Sequence, residues 1–206
     1  MIHEIRTYQL QYGATPQFLA ATGAMVEKRI EYSPLVGFFY TEVGQLNRVV
    51  HIWQYDDLNH RTEIRSKVVE DGIWPPDNAD ITITQQSEIY TPAPFMPEFD
   101  IERNIGPLFE LRIYQYPAGT IPKVIEAWSE NIEARMKLSP PVGIWYTDIG
   151  TLNLWAHMWA YESYEHRTEA RKEFASIGWP PKSGVSPLHM QNSLLHAADF
   201  SPVRKR

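Results

Sequence analysis

Apolar and polar residues alternate along residues 2–11, a stretch rich in Ile, Thr and Tyr, which predicts a half-buried strand. The period then lengthens. Phe18, Leu19, Thr22, Met25, Val26, Arg29 and Ile30 follow one another at helical spacing. Thr15-Pro16 reads as an N-cap followed by a proline at the first helical position, and Ser33-Pro34 ends the helix. Residues 36–43 and 46–55 predict two strands joined by a tight turn at Gly44-Gln45. Asp57 can cap a second helix that runs to about Glu70. Trp74-Pro75-Pro76 is a loop, and residues 80–91 predict a last strand.

The same pattern then begins again. Residues 2–67 align with residues 108–173 at a constant offset of 106, and 26 of those 66 positions are identical. Trp74-Pro75-Pro76 returns as Trp179-Pro180-Pro181 at offset 105, so one residue is lost in between. A repeat of this length is a whole small domain and not a solenoid unit. The expected division is residues 1–96, a proline-rich linker over 97–107, and residues 108–203.

Each unit reads β-α-β-β-α-β, the ferredoxin-like split pattern. The first and third strands are expected to be central neighbours running parallel. Two helices cover one face of a four-stranded sheet, so the other face needs a partner, and the second unit's sheet can supply it. The expected fold class is α+β: two tandem ferredoxin-like units packed sheet to sheet as an intrachain barrel.

Alternation sorts the strand residues onto two faces. Ile5 and Thr7, whose counterparts are Leu111 and Ile113, and Val50, Ile52 and Gln54, whose counterparts Ala156, Met158 and Ala160 are small or aliphatic, are expected beneath the helices. The opposite face carries Glu4, Arg6, Tyr8, His51, Trp53 and Tyr55, and in the second repeat Glu110, Arg112, Tyr114, His157, Trp159 and Tyr161. These twelve are the candidate ligand-binding residues, expected to line an aromatic-walled cavity enclosed between the sheets. There, His51 or His157 could move a proton near neutral pH. Arg6 or Arg112 could hold a carboxylate or enolate oxygen, and Tyr8 or Tyr114 could donate to a developing oxyanion. Glu4 and Arg6 are close enough on one strand face to pair directly. Arg61 and Arg65, one helical turn apart, could form an anion clamp but read more readily as a solvated face, and Trp74-Pro75-Pro76 could be a lid over the barrel mouth but reads more readily as a packed connection. Val49 against Trp155 suggests more room in the first half than in the second.

Composition narrows the alternatives. The net charge of −6 argues against a nucleic-acid footprint. The chain has no cysteine, which removes disulfides, thiolate catalysis and Cys-ligated metals. No histidine or carboxylate set stands at recognised ligand spacing, so neither a metal nor a cofactor is expected. No apolar run approaches membrane-spanning length and no signal-like segment opens the sequence, so no membrane partner and a cytoplasmic location are expected. A second copy of the fused chain is a candidate partner. No nucleophile elbow or phosphate loop identifies a reaction, and whether the chain is an enzyme is left open.

The motifs together resemble the NIPSNAP family. They are Glu4-x-Arg6-x-Tyr8, the Ser33-Pro34 to Gly37 turn, Gly44-x-Leu46-Asn47, His51-x-Trp53-x-Tyr55, and Arg61 with Arg65, each repeated in the second half. The resemblance implies a dimeric α+β barrel, here fused into one chain. That superfamily is similar to cofactor-free monooxygenases, muconolactone-type isomerases and some haem proteins. The family has no settled activity, and its animal members are associated with mitochondria and vesicle trafficking. The expected function is a protein that binds or converts a small organic molecule inside the barrel without a cofactor. The alternative is a non-catalytic interaction module whose barrel is filled.

Overall fold

A computed structural model of the chain describes residues 1–98, 100 and 102–204. Each repeat opens with one strand, β1 (Ile2–Leu10) or β5 (Leu108–Gln115), followed by a helix, α1 (Thr15–Ile30) or α3 (Ile121–Leu138). Hairpins follow: β2 (Leu35–Val43) with β3 (Arg48–Tyr55), and β6 (Pro141–Ile149) with β7 (Leu154–Tyr161). Each repeat closes with a short helix, α2 (Leu58–Glu70) or α4 (Tyr164–Lys172), and a last strand, β4 (Thr82–Pro92) or β8 (His189–Ala197). Asp57 caps α2 as expected, its carboxylate accepting from the His60 amide at 2.8 Å. Thr15 does not cap α1; Ala14 holds that position and makes no side-chain cap bond.

The eight strands form a closed barrel in the order β1-β3-β2-β8-β5-β7-β6-β4. The two sheets thus join edge to edge, through β2–β8 and β4–β6. Closure leaves no open strand edge, which removes the usual template for aggregation. The parallel pairing expected for the first and third strands is not found. β1 and β3 are antiparallel neighbours, with Arg6 opposite His51, and β5 and β7 repeat this with Arg112 opposite His157. The β2–β3 hairpin reverses the chain, so the crossover through α1 relates β1 to β2, and β3 lies between them.

Beyond each seam the chain crosses to the other half. Ala93 donates its amide to Ile144, and Phe95 packs on Trp155 with ring centroids 6.2 Å apart. Reciprocally, Ala198 donates to Phe38, and the Phe200 ring lies 5.0 Å from the Phe38 ring. The expected linker over 97–107 includes Phe99 and Ile101, which lie outside the described residues.

The barrel interior is a single apolar cluster drawn from both halves, including Ile5, Phe39, Val50, Ile52, Leu111, Trp145, Met158 and Leu195. An eight-stranded barrel is just wide enough for such side chains to fill it. Packing is closest at two glycines. A Cβ on Gly143 would stand 1.9 Å from the Trp145 indole, and one on Gly37 would stand 2.5 Å from the Phe39 ring. At one end, a hollow of about 350 Å³ lies beside His3 and Trp145. There the Trp145 indole donates to His3 Nδ1 at 2.7 Å.

This arrangement inverts the expected faces. Ile5, Val50 and Ile52 point into the barrel, not beneath the helices. Val49, Trp53 and Tyr55 pack with Phe18 and Val26 of α1, and Trp155, Trp159 and Tyr161 pack with Val124, Trp128 and Ile132 of α3. The polar and aromatic face therefore lies between sheet and helices, outside the barrel. Within β1, β3, β5 and β7 the aliphatic and small positions turn into the barrel, and the rings of Trp53, Tyr55, Trp159 and Tyr161 turn to the layer under the helices.

Among the described residues no helix is long and apolar enough to cross a membrane.

Candidate functional site

All twelve candidate residues fall on this helix-covered face, six in each half. Glu4 and Glu110 are fully buried and anchor the two sets. Glu4 Oε1 accepts from Arg6 at 2.7 Å, from Arg61 at 2.6 Å and from Ser87 at 2.6 Å. Glu110 Oε1 accepts from Arg112 at 3.0 Å, Arg167 at 2.7 Å and Asn192 at 3.3 Å. Arg61 and Arg167 thus turn inward from α2 and α4, contrary to the solvated face expected of them. A buried carboxylate requires such partners. Burial alone would raise the Glu4 carboxyl, but the Arg61 hydrogen bond, the Arg6 charge and the Ser87 hydroxyl outweigh it and hold it at about 2. The same opposition holds Glu110 below the ordinary carboxylate value. Both remain charged at neutral pH.

Arg6 is fixed at both ends, since its Nε also donates to the Tyr8 hydroxyl at 2.7 Å. Arg112 bonds Tyr114 in the same way. A tyrosine oxygen that accepts from arginine keeps its own proton free to donate onward.

The histidines are held by the tryptophans two residues on. Trp53 Nε1 donates to His51 Nδ1 at 2.7 Å, and Trp159 Nε1 donates to His157 Nδ1 at 2.6 Å. Indole nitrogen is a donor only, so each Nδ1 must be an unprotonated acceptor, and the ring hydrogen sits on Nε2. Burial, reinforced by the Arg6 charge, pushes His51 down to about 3, and burial with Arg112 pushes His157 well below its ordinary value. Both rings are therefore neutral, and the proton transfer near neutral pH expected of them does not fit. Each Nε2–H is buried without a hydrogen-bond partner, and each histidine lines a cavity. Each ring thus keeps one donor that no acceptor among the described residues satisfies.

Tyr55 and Tyr161 tie a helix to the sheet. Arg29 of α1 donates to the Tyr55 hydroxyl at 3.0 Å and to Ser33 at 2.9 Å, while its guanidinium lies 4.1 Å from the Trp53 ring centroid. Arg135 of α3 repeats this with Tyr161, Ser139 and Trp159. Arg29 and Arg135 were not among the expected site residues. They sit in the inward register of their helices and are identical in both repeats, a signal that the face they cover is polar.

The first-half cavity, about 220 Å³, is lined by Arg6, Tyr8, His51 and Arg65 and walled by Phe18, Phe38 and Trp74. The second-half cavity is larger, about 640 Å³, and is lined by Arg112, Tyr114, His157, Arg171 and several aromatic rings. The expectation of more room in the first half is thus reversed. Trp155 does not fill the site, because it packs away against Phe95 and Trp128. Phe38 instead occupies space in the first half, stacked 4.9 Å from His51 where the second half has Ile144. Trp74 and Trp179 each line a cavity, so the Trp-Pro-Pro loops are walls of the sites. No group of three or more potential metal ligands occurs among the described residues.

A family model described as NIPSNAP matches residues 3–97 and again residues 109–202. Human protein NipSnap homolog 3B is 30% identical over 214 residues, covering 98% of this chain and 85% of that protein. The NipSnap homolog of Dictyostelium discoideum is 27% identical, over 82% of this chain and 74% of its own length. Among solved structures, a putative monooxygenase from Fusobacterium nucleatum superposes with a TM-score of 0.64 over 96% of this chain and 92% of that one. Its identity is 12%, so the likeness is one of fold alone. With both repeats matched and relatives similar along most of their length, the chain belongs to the NIPSNAP family.

Proposed function

We propose that the chain binds a small organic anion in the cavities between sheet and helices, one cavity in each half. The observation that carries this is the pair of neutral histidines. Each has Nδ1 occupied by an indole N–H and a buried, unpartnered Nε2–H, on a ring that lines a cavity. A buried donor without a partner costs about 1–3 kcal/mol, which a ligand oxygen would offset. The first-half cavity is lined by Arg6, Arg29 and Arg65 and by no carboxylate, and the second by Arg112, Arg135, Arg171 and Lys182 against Glu110, so both linings are net positive. Tyr8 stands perpendicular to His51 with ring centroids 5.0 Å apart and offers a second hydroxyl donor.

A carboxylate or an enolate oxygen suits this set of donors, because they are fixed before the ligand arrives. Catalysis would follow if negative charge developed on that oxygen during reaction. The donors would then stabilise the charge, and the histidine would not act as a base. The interaction-module alternative requires a filled barrel, and the barrel is filled; the cavities lie outside it, so both descriptions fit their own part of the fold.

Native mass spectrometry of freshly purified chain, followed by calorimetric titration with benzoate, tests the proposal. A retained organic acid, or benzoate binding that is lost in the His51→Phe/His157→Phe double variant, is expected. Benzoate binding that survives in the double variant, or no binding of any carboxylate, overturns it.

A further inference from the structure

We infer that the two cavities have diverged, and that the second-half cavity alone takes a bulky, bicyclic-sized aromatic carboxylate, one per chain. This rests on the anion-binding proposal above and adds ligand size and stoichiometry to it.

The Glu-Arg-Tyr-His set is the same in both halves, so the difference in size must come from the walls. Pockets for organic ligands commonly measure about 300–1,000 Å³. The second-half cavity, at about 640 Å³, lies in that range, and the first, at about 220 Å³, lies below it. Two single substitutions and one two-residue difference between corresponding positions account for the contrast. Phe38, stacked on His51, corresponds to Ile144. Phe18, set edge-on against Tyr8 at 5.9 Å, corresponds to Val124. The third is a latch. Asn78 is buried and donates to Thr22 of α1 at 3.4 Å, tying the loop after Trp74-Pro75-Pro76 down on the helix. Ser183 corresponds to Asn78 and bonds Val185 within its own loop, while Trp128 corresponds to Thr22. With no such tie, the loop after Trp179-Pro180-Pro181 lines an open cavity in place of sealing it.

The second cavity is also the more aromatic. Trp128 lies against His157 at 4.9 Å and against Trp179 at 4.6 Å, and Phe174 and Tyr116 line the same space. Stacking surface next to a fixed N–H donor selects a planar ring bearing an anionic oxygen. Lys182, beside Arg171 at the wall, adds a positive charge that Asp77 replaces with a negative one in the first half.

The test uses the full chain and two probes, 2-naphthoate and benzoate, titrated calorimetrically. Naphthoate is expected to bind at one per chain, and His157→Phe is expected to weaken it at least tenfold. Val124→Phe/Ile144→Phe, which copies the first-half walls, is expected to lose naphthoate while retaining benzoate. Should that variant fail to fold, by circular dichroism, the His157→Phe result and the stoichiometry decide. Naphthoate at two per chain, or full naphthoate affinity in His157→Phe, overturns the inference and leaves the anion-binding proposal standing. If neither probe binds, the proposal itself fails and the inference with it.

Discussion

Acidification is expected to destabilise this protein through its buried histidines well before its carboxylates titrate. The perturbation is a change from about pH 7.5 to about pH 5, across the ordinary histidine value. His51 titrates at 6.5 when unfolded and at about 3 in the native chain. Below 6.5 the unfolded state binds a proton that the native state refuses. Stability is therefore complete above 6.5 and declines as pH falls from there toward 3. At about pH 5 the difference is about 1.5 pH units, or about 2 kcal/mol for one histidine at 1.36 kcal/mol per unit. His157 is shifted in the same direction by the same cause, burial, and adds a loss of the same sign. His3, pushed down to about 4 by burial in the barrel, acts in the same sense. Domains are commonly stable by about 5–15 kcal/mol, so the loss is large. Urea denaturation across this pH range measures it, in wild type and in the His51→Gln/His157→Gln variant. Glutamine does not titrate, and its carbonyl can still accept from the indole. The variant is expected to lose less than wild type between the two pH values, by at least the roughly 2 kcal/mol that His51 contributes. An equal loss in both proteins would refute the neutral-histidine account.

Two further outcomes follow from packing and charge. Glu4→Gln leaves Arg6 and Arg61 without their shared carboxylate and is expected to cost about 3 kcal/mol by urea denaturation at neutral pH; combining it with Arg61→Met should cost less than the sum of the two, and strict additivity would show the residues uncoupled. Gly143→Ala drives a methyl into the Trp145 indole and strains its bond to His3, so it is expected to cost about 1–3 kcal/mol and more than Gly37→Ala, whose clash is milder. Equal denaturation midpoints for the two alanine variants would contradict this packing account.

Much of the fold was legible in the sequence because the repeat supplied two independent copies of every pattern. The element order, the hairpins, the Asp57 cap and the Glu4–Arg6 pair all follow from local periodicity and short spacing. Alternation also separated the two strand faces correctly. It could not say which face the helices cover, because a period of two is blind to what lies on either side. The inward assignment of Glu4, His51 and Trp53 came from supposing that two stacked sheets must enclose a cavity. Arg29 and Arg135 carried the missing information. An arginine in the buried register of a helix needs an acceptor on the face it covers, and Tyr55 and Tyr161 are those acceptors. The relative size of the two cavities was not legible, because it depends on where Trp155 and Phe38 turn. Those rings are placed by the crossed Phe95 and Phe200 segments, which are remote in sequence: Ser201, next to Phe200, bonds Phe38 across a separation of 163 residues.

The central claim is that each half presents a neutral histidine whose Nε2–H faces an anion-binding cavity. A long-range proton–nitrogen correlation spectrum of the isotope-labelled chain, recorded from about pH 7.5 to about pH 5, observes the ring nitrogens of His51 and His157 directly. The account predicts an unprotonated Nδ1 and a protonated Nε2 in both rings, unchanged across that range, with the Nε2–H resonance displaced when benzoate is added. A proton on Nδ1 in either ring, or titration of either ring near the ordinary value of 6.5, would contradict it.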